Sequence, residues 1–321
     1  MKQKNAPFVG PRLGLDENGL GPRLGPMIVT MARAEVDERG AARYGRKLPR
    51  AIRQDLDDSK QLVSCHDYSL AEAWARGVVA QELGRELKSP AELVQHLAGP
   101  SVLDLQTLCP PRTRAQCWST EEETFICSDE QRMRVALHLR ALAERGIEVQ
   151  RVRSEIVCTG KLNSLKEQGV HRFSADLHAM ERLILREGGA PGPLLEVVCG
   201  KVGGIGKYDQ FFGPLAGRLH MTLEEGQAKS SYYFPGLGSI HFVRDADASD
   251  PLVMLASLVG KYLRELLMGR VARFYRSAAG EDCQTPSGYH DPVTARFVEQ
   301  TKALRKKLRV HQDCFERRPA N

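Results

Sequence analysis

Two adjacent carboxylates, Asp16 and Glu17, stand at the end of an apolar run, residues 8–15, and directly before a turn rich in glycine and proline. Glycine permits positive φ and close approach to a ligand, whereas proline fixes φ, so residues 18–26 are predicted to form a shaped turn. A second apolar run, residues 27–32, predicts a returning strand. Acids at a strand exit suit a hard cation held by oxygen ligands, although most surface acids only face solvent.

A second motif downstream reads Asp57-Asp58-Ser59-Lys60-Gln61-Leu62. Together with the turn after Asp16, it resembles the two opening signatures of type II ribonuclease H (ribonuclease HII). In that family an Asp-Glu-x-Gly-x-Gly-Pro turn ends the first strand, and Asp-Ser-Lys-x-Leu follows. Each motif alone is a weak signal, and their order is what makes the resemblance specific.

Five later segments match the same family pattern in order, over most of the chain except residues 99–148. The first is a helical pattern before the family's third acid, and the others are a strand end, an Ala-Asp pair, a helix and a Ser-Gly-Tyr segment. These segments are residues 162–165 with 179–182, residues 197–200, Ala246-Asp247, residues 256–265, and Ser287-Gly288-Tyr289 with residues 291–294.

The resemblance assigns the family's four metal-binding acids, Asp, Glu, Asp and Asp, to Asp16, Glu17, Cys199 and Glu265. It implies that Mg²⁺ or Mn²⁺ is held by Asp16, Glu17 and Glu265. A thiol is a poor ligand for a hard cation, so Cys199 departs from the pattern and is equally consistent with a small buried apolar residue.

Other acids were considered as replacements for the one missing at position 199. Glu196 precedes Cys199 by three residues, and side chains alternate along a strand, so we expect Glu196 on the opposite face. Asp209 and Asp247 are the remaining acids that the sequence leaves available to complete the site.

The resemblance also implies contacts to nucleic acid. It assigns the backbone clasp on a ribonucleotide 2′-hydroxyl to Asn18, Gly19, Leu20 and Gly21, where leucine replaces the family's arginine. Tyr289 would stack on the sugar beside the scissile junction. Lys60, Lys207 and Lys261 are candidate phosphate contacts, and Lys207 is preferred because it follows a glycine-rich loop.

Charge and composition set further bounds on the 321 residues. The formal net charge is +6, and residues 296–318 hold eight Lys and Arg against three acids. A concentrated basic face is typical of phosphate-backbone binding, although such a run is also typical of a solvated helix. The 42% hydrophobic and 27% charged content is ordinary for a globular protein.

Targeting and cysteine patterns predict a cytoplasmic protein with free thiols. No apolar run of membrane-spanning length occurs, no secretory signal is visible, and none of the eight cysteines forms a Cys-x-x-Cys pair. We therefore expect no membrane partner and no zinc site. We also expect the protein to be a monomer.

The predicted fold is α/β, a ribonuclease H-like mixed five-stranded sheet flanked by helices. Residues 1–269 would form the catalytic-type domain, with a peripheral region at 99–148, and residues 270–321 a basic C-terminal helical extension. Asp16, Cys199 and Glu265 are expected to converge at one edge of the sheet.

Two functions follow from this interpretation, with a third kept open. The first is a metal-dependent endonuclease that cuts the RNA strand of RNA/DNA hybrids, including ribonucleotides embedded in duplex DNA. The second is a catalytically impaired paralogue that binds such hybrids, since two acidic positions are altered. The third is a basic RNA-binding protein unrelated to this family.

Overall fold

A mixed seven-stranded sheet forms the centre of the fold. The computed structural model describes residues 8–64, 67–99, 109–110, 113, 116–117, 123–189, 192–202, 204–279 and 284–319. The strands are β1 Gly10–Asn18, β2 Met27–Val36, β3 Ile147–Val157, β4 Leu195–Gly200, β5 Met221–Glu225, β6 Lys229–Phe234 and β7 Gly238–Val243.

Strand pairing is antiparallel at both edges of the sheet and parallel at its centre. The order is β3-β2-β1-β4-β7-β6-β5, and β1, β4 and β7 run parallel to one another. The predicted opening hairpin is β1 and β2. The predicted mixed sheet flanked by helices is confirmed, but the number of strands is seven rather than five, and β6 was not predicted.

Twelve α-helices and two short 3₁₀ helices, at Asp209–Phe211 and Ala246–Ala248, are present in the described part of the chain. The helical pattern of residues 162–165 and 179–182 falls on two helices, and Gly169, with a φ of +79°, follows the end of the first. The α-helices are α1 Glu38–Arg43, α2 Arg50–Arg53, α3 Ser59–Leu62, α4 Ser69–Leu83, α5 Pro90–Ala98, α6 Asp129–Glu144, α7 Thr159–Glu167, α8 Arg172–Glu187, α9 Pro251–Ala279, α10 Pro292–Gln300, α11 Lys302–Lys307 and α12 Gln312–Phe315.

Two apolar cores cover the two faces of the sheet. On one face α4, α5, α6 and α9 bury a cluster that includes Trp74 and Val259. On the other face α8 packs over Leu13, Leu15 and Cys199. A Cβ added at Gly14 would lie 2.3 Å from the carbonyl carbon of Leu252, so α9 packs directly on the backbone of β1.

The C-terminal segment builds a third apolar cluster, in which Phe297 and Phe315 pack against Met268 and Val271 of α9. Helix α9 runs unbroken through the boundary predicted at residues 269 and 270, and the division into domains stays a prediction. Within the predicted peripheral region, α6 packs between α4 and β3, while residues 100–108 and several others up to 122 lie outside the described part.

The described residues include six of the eight cysteines. None of these six is part of a disulfide bond, and Cys65 and Cys283 lie outside the described residues. None of the helices in the described ranges combines the length and the apolar character needed to cross a membrane.

Candidate functional site

Asp16 lies at the end of β1 on the face covered by α9. Its carboxylate accepts a hydrogen bond from Ser257 of that helix. It also lies against the end of β4, because a Cβ added at Gly200 would be 2.6 Å from Asp16 Oδ1. Burial raises the pKa of Asp16 well above its usual value, the Ser257 hydrogen bond lowers it, and the charges of Glu17 and Asp247 raise it again.

Glu17 follows on β1 and closes the glycine-rich turn. Its Oε2 accepts a hydrogen bond of 2.9 Å from the Leu20 N–H. Burial raises the pKa of Glu17, while the Leu20 N–H and the nearby cations Arg317 and Lys60 oppose that shift. Because side chains alternate along a strand, Glu17 faces the opposite side of the sheet from Asp16.

Both carboxylates line an open pocket of about 540 Å³. Of the twelve residues predicted for the site, nine line it: Asp16, Glu17, Asn18, Gly19, Leu20, Gly21, Lys60, Lys261 and Tyr289. The three that do not are Cys199, Lys207 and Glu265.

Asp247 is the acid that joins Asp16 in the pocket. It lies in the 3₁₀ helix Ala246–Ala248 that precedes α9. Its Oδ2 lies 3.4 Å from Lys60 Nζ, and its charge contributes to the raised pKa of Asp16. The sequence analysis named Asp247 only as one of two acids available to complete the site. The structure places it in the pocket.

Glu265 does not contribute to the pocket, contrary to its predicted role as a ligand. Its side chain is buried, and its Oε1 lies 3.1 Å from Arg264 Nη1 and 3.7 Å from Lys261 Nζ. Ser257 lines the pocket, but Glu265 lies eight residues further, about 12 Å along the helix axis. Its charge is therefore balanced by Arg264 and Lys261, of which Lys261 lines the pocket and Arg264 does not.

Cys199 lies beside Asp16 but within the apolar core. It is fully buried, and it pairs with Leu15 in the parallel register of β4 and β1. Burial raises the pKa of its thiol, as do the charges of Asp176 and Glu181, so the sulfur stays protonated. Glu196 contacts His241 Nε2 at 3.2 Å, and its odd spacing from Cys199 puts it on the other face of the strand.

The Asp-Ser-Lys motif is docked on α9 through a pair of serines. Asp58 caps α3 by accepting from the Lys60 N–H, and the Ser59 and Ser257 hydroxyls lie 2.9 Å apart. Ser257 in turn contacts Asp16. The serine pair thus places the motif beside the first carboxylate, and Lys60 lines the pocket.

The lysines predicted to contact phosphate are divided by the structure. Lys60 and Lys261 line the pocket, whereas Lys207 is exposed and its Nζ lies 3.6 Å from Glu225. Lys201, just beyond β4, lines the pocket and was not predicted. Its Nζ donates to the Gly226 carbonyl and to Ser230 Oγ, which holds the side chain along the pocket wall.

The glycine-rich turn is clamped from the far end of the chain. Arg317 is buried, and it donates to the carbonyls of Gly19 at 2.6 Å and of Gly25 at 2.8 Å. Burial lowers its pKa to about 9. The Gly288 carbonyl accepts from the N–H groups of Arg23 and Leu24. No local sequence signal pointed to this clamp, because its partners are separated by almost the whole chain.

Tyr289 stands at the rim of the pocket, next to this turn. Its side chain is exposed, and the Arg264 guanidinium lies 4.8 Å from its ring centroid. Arg264 also donates to the Ser287 carbonyl, which fixes the Ser-Gly-Tyr segment beside Gly19. One face of the ring is supported by a cation, and much of the ring remains accessible to a ligand.

A second groove, of about 710 Å³, adjoins the pocket through Leu20 and Gly21, which line both. None of the described residues lining this groove is acidic, and seven are basic or histidine: Arg23, Lys166, His171, Arg172, His290, Arg317 and Arg318. The predicted basic stretch at residues 296–318 enters it only through its last two arginines. Arg305, by contrast, is buried against Phe315.

The pocket's donors suit a hard divalent cation in kind. Asp16, Glu17 and Asp247 offer carboxylate oxygens, and burial, together with the charges of Glu17 and Asp247, raises the pKa of Asp16. In the described ranges, no three His, Cys, Asp or Glu side chains already surround one point closely enough to hold an ion. Asp16 and Asp247 are the pocket acids best placed to share one.

Comparisons with known proteins give matches among solved structures. No family model matches the chain, and no curated protein matches it. Among solved structures, a point variant of Bst ribonuclease HIII has a TM-score of 0.47 and 13% identity, over 96% of this chain and 66% of that one. The same enzyme in complex with Mn²⁺ has a TM-score of 0.45 and 13% identity, over 98% and 70%. Ribonuclease HII from Archaeoglobus fulgidus, solved with PCNA, has a TM-score of 0.41 and 15% identity, over 96% and 93%.

Arg317→Ala is expected to loosen the glycine-rich turn, because it removes the donor to the Gly19 carbonyl and leaves the Gly25 carbonyl with Thr159 as its remaining side-chain donor. The loss should be about 2 kcal/mol in the free energy of unfolding, with faster amide exchange over residues 19–25. Arg318→Ala is the matched control, since that side chain pairs with the part-exposed Asp313 and Glu167. Equal effects of the two substitutions in urea denaturation and hydrogen exchange would contradict the clamp.

Proposed function

We propose that this protein is a metal-dependent endonuclease that hydrolyses the RNA strand of RNA/DNA hybrids, including ribonucleotides embedded in duplex DNA. The observation that carries the proposal is the position of Asp247, which lines the same pocket as Asp16 and Glu17. With Asp247 present, the pocket has three carboxylates, and only the position of Cys199 lacks one. Glu265 lies outside the pocket, so its difference from the family's aspartate is no argument against activity.

The roles of the acids follow from their positions. Asp16 and Asp247 would hold a divalent cation, Mg²⁺ or Mn²⁺, from the α9 side, and Glu17 would do so from the opposite face of β1. When bound, such a cation activates water and offsets negative charge on the phosphate. Ser257 keeps Asp16 oriented by donating to its carboxylate. Lys60, paired with Asp247 in this structure, would be released to a phosphate oxygen.

The remaining pocket residues would position the nucleic acid. The turn at Gly19, Leu20 and Gly21 presents backbone to the pocket, and a side chain added at Gly21 would meet no atom within 4 Å. Tyr289 would stack on a sugar at the rim. Lys261 would contact phosphate, since its Nζ lies only loosely, at 3.7 Å, from Glu265.

The basic groove would carry one strand of the duplex away from the pocket. It shares Leu20 and Gly21 with the pocket, so a backbone in the groove would pass directly over the glycine-rich turn. Arg172 and Lys166 line it and donate to backbone carbonyls, whereas Arg318 is paired with Asp313 and Glu167. Such a surface gains affinity by releasing counterions from the phosphates.

A second function, hybrid binding with little or no cleavage, is favoured by two observations. Cys199 offers no oxygen ligand to a cation, and its side chain is buried in the apolar core. Among the described residues, no three ligating side chains are gathered at one point. Under this alternative the basic groove and the turn keep their roles, and the carboxylates of the pocket hold no functional cation.

Asp247→Asn should lower hybrid cleavage by roughly 100-fold or more, because it removes a charged ligand while keeping the side-chain shape. Initial rates on a labelled hybrid in Mg²⁺ and in Mn²⁺ measure this. Asp209→Asn is the matched control, since Asp209 is an exposed acid outside the pocket. Wild-type rates for the Asp247 variant, with folding intact, would remove Asp247 from the site.

Hybrid binding in chelator should weaken steeply as salt rises, because phosphate contacts in the basic groove release counterions. Lys166→Ala, which removes a groove residue, should reduce the slope of log affinity against log salt by about one. Lys306→Ala is the control, an exposed lysine of α11 outside the groove. A flat salt response, or a larger effect from Lys306→Ala, would discard the groove.

A further inference from the structure

Asp176 is a buried carboxylate that the proposed roles leave unused. It lies on α8, the helix that packs on β1, β2 and β3, and only 1% of its surface is exposed. Its Oδ1 has no hydrogen-bond partner among the described residues. A buried carboxyl oxygen without a partner is costly, so its presence calls for a ligand that the protein chain itself does not supply.

The position of Asp176 relates it to the pocket acids on the α8 side of the sheet. Its neighbours on the helix, Ala175 and Leu177, pack in the same apolar cluster as Leu15 and Cys199. Glu17 faces this side as well, because it lies two residues beyond Leu15 on the same strand. Asp176 is therefore buried behind the pocket, close to the place where Cys199 supplies no oxygen.

The charges around Asp176 agree with this position. After burial, the charges of Glu17 and then Asp16 are the main causes that raise the pKa of Asp176 well above its usual value. The charge of Asp176 in turn contributes to the raised pKa of the Cys199 thiol. No described cation opposes the shift of Asp176, in contrast to Glu17, which has Arg317 and Lys60 nearby.

We propose that Asp176 supplies the carboxylate missing at Cys199, so that Asp176 and Glu17 form the α8-side half of a divalent-cation centre completed by Asp16 and Asp247. This inference rests on the proposed function, because it concerns the same pocket. Relative to the family pattern, the third acid would lie on the facing helix α8 rather than at the end of β4. The ends of β1 and β4 would keep their positions. The centre would then have four carboxylates, two on each face of the sheet.

The test is the binding of Mn²⁺ to Asp176→Asn and to wild type, followed by electron paramagnetic resonance and by thermal unfolding with and without the ion. We expect the Mn²⁺ affinity to fall at least 10-fold, in the range found when supporting ligands of metal sites are removed. The stabilisation by Mn²⁺ should fall with it. In chelator the variant should be as stable as wild type or more so, because it lacks a buried acid.

Two further variants separate ligation from packing. Glu181→Gln is the matched control on the same helix, since Glu181 accepts from the N–H groups of Gly213 and Leu215 and, unlike Asp176, has donors within the chain. It should leave the Mn²⁺ affinity unchanged. Cys199→Asp added to Asp176→Asn returns the carboxylate to β4 and should recover part of the lost affinity.

Hybrid cleavage measured in parallel distinguishes this inference from the proposed function. Wild-type Mn²⁺ affinity in Asp176→Asn overturns the role of Asp176, whether or not the protein cuts. If Asp176→Asn loses Mn²⁺ affinity and the wild type cuts no hybrid, the role of Asp176 is supported and the nuclease function is ruled out. A wild type that binds no Mn²⁺ overturns both. If Asp176→Asn alone fails to fold, the double variant Asp176→Asn, Cys199→Asp is measured instead. A folded double variant that binds no Mn²⁺ overturns the inference.

Discussion

The site depends on the alternation of two consecutive carboxylates along one strand. Asp16 and Glu17 end β1, and the parallel partner β4 ends beside them, with Gly200 against the Asp16 carboxylate. Alternation sends one acid to each face of the sheet. Each face then meets a different helix, α9 with Ser257 on one side and α8 on the other. The pocket is thus assembled from both layers of the fold around a single strand end.

Burying several carboxylates at one strand end is unfavourable unless their charge is balanced. The protein balances Glu17 with the Leu20 N–H and with Arg317 and Lys60, but the balance for Asp16 is incomplete and its pKa is raised. The turn itself is held by the buried Arg317, whose N–H groups donate to carbonyls rather than to acids. A divalent cation is the natural complement of the charge that remains.

The sequence predicted what depends on contiguous motifs and missed what depends on tertiary contacts. The structure brings the acids of β1, the turn and Lys60 to one pocket, and each of them belongs to a short ordered pattern that contains its own geometry. Glu265 lies outside that pocket, since its place on a long helix is set by where α9 crosses the sheet, and that crossing instead brings Asp247 to the pocket. Arg317 and Asp176 carry no local signal at all, because their partners are separated from them by well over a hundred residues.

The most direct test is cleavage by the wild-type protein of two labelled duplexes, one with a single ribonucleotide in DNA and one with a long RNA stretch. Each is incubated with Mg²⁺, with Mn²⁺ and with chelator. We predict cutting at ribonucleotide positions in at least one metal and none in chelator. Tight binding of both duplexes with no cutting in either metal, at protein in excess over substrate, would contradict the nuclease and leave a hybrid-binding protein.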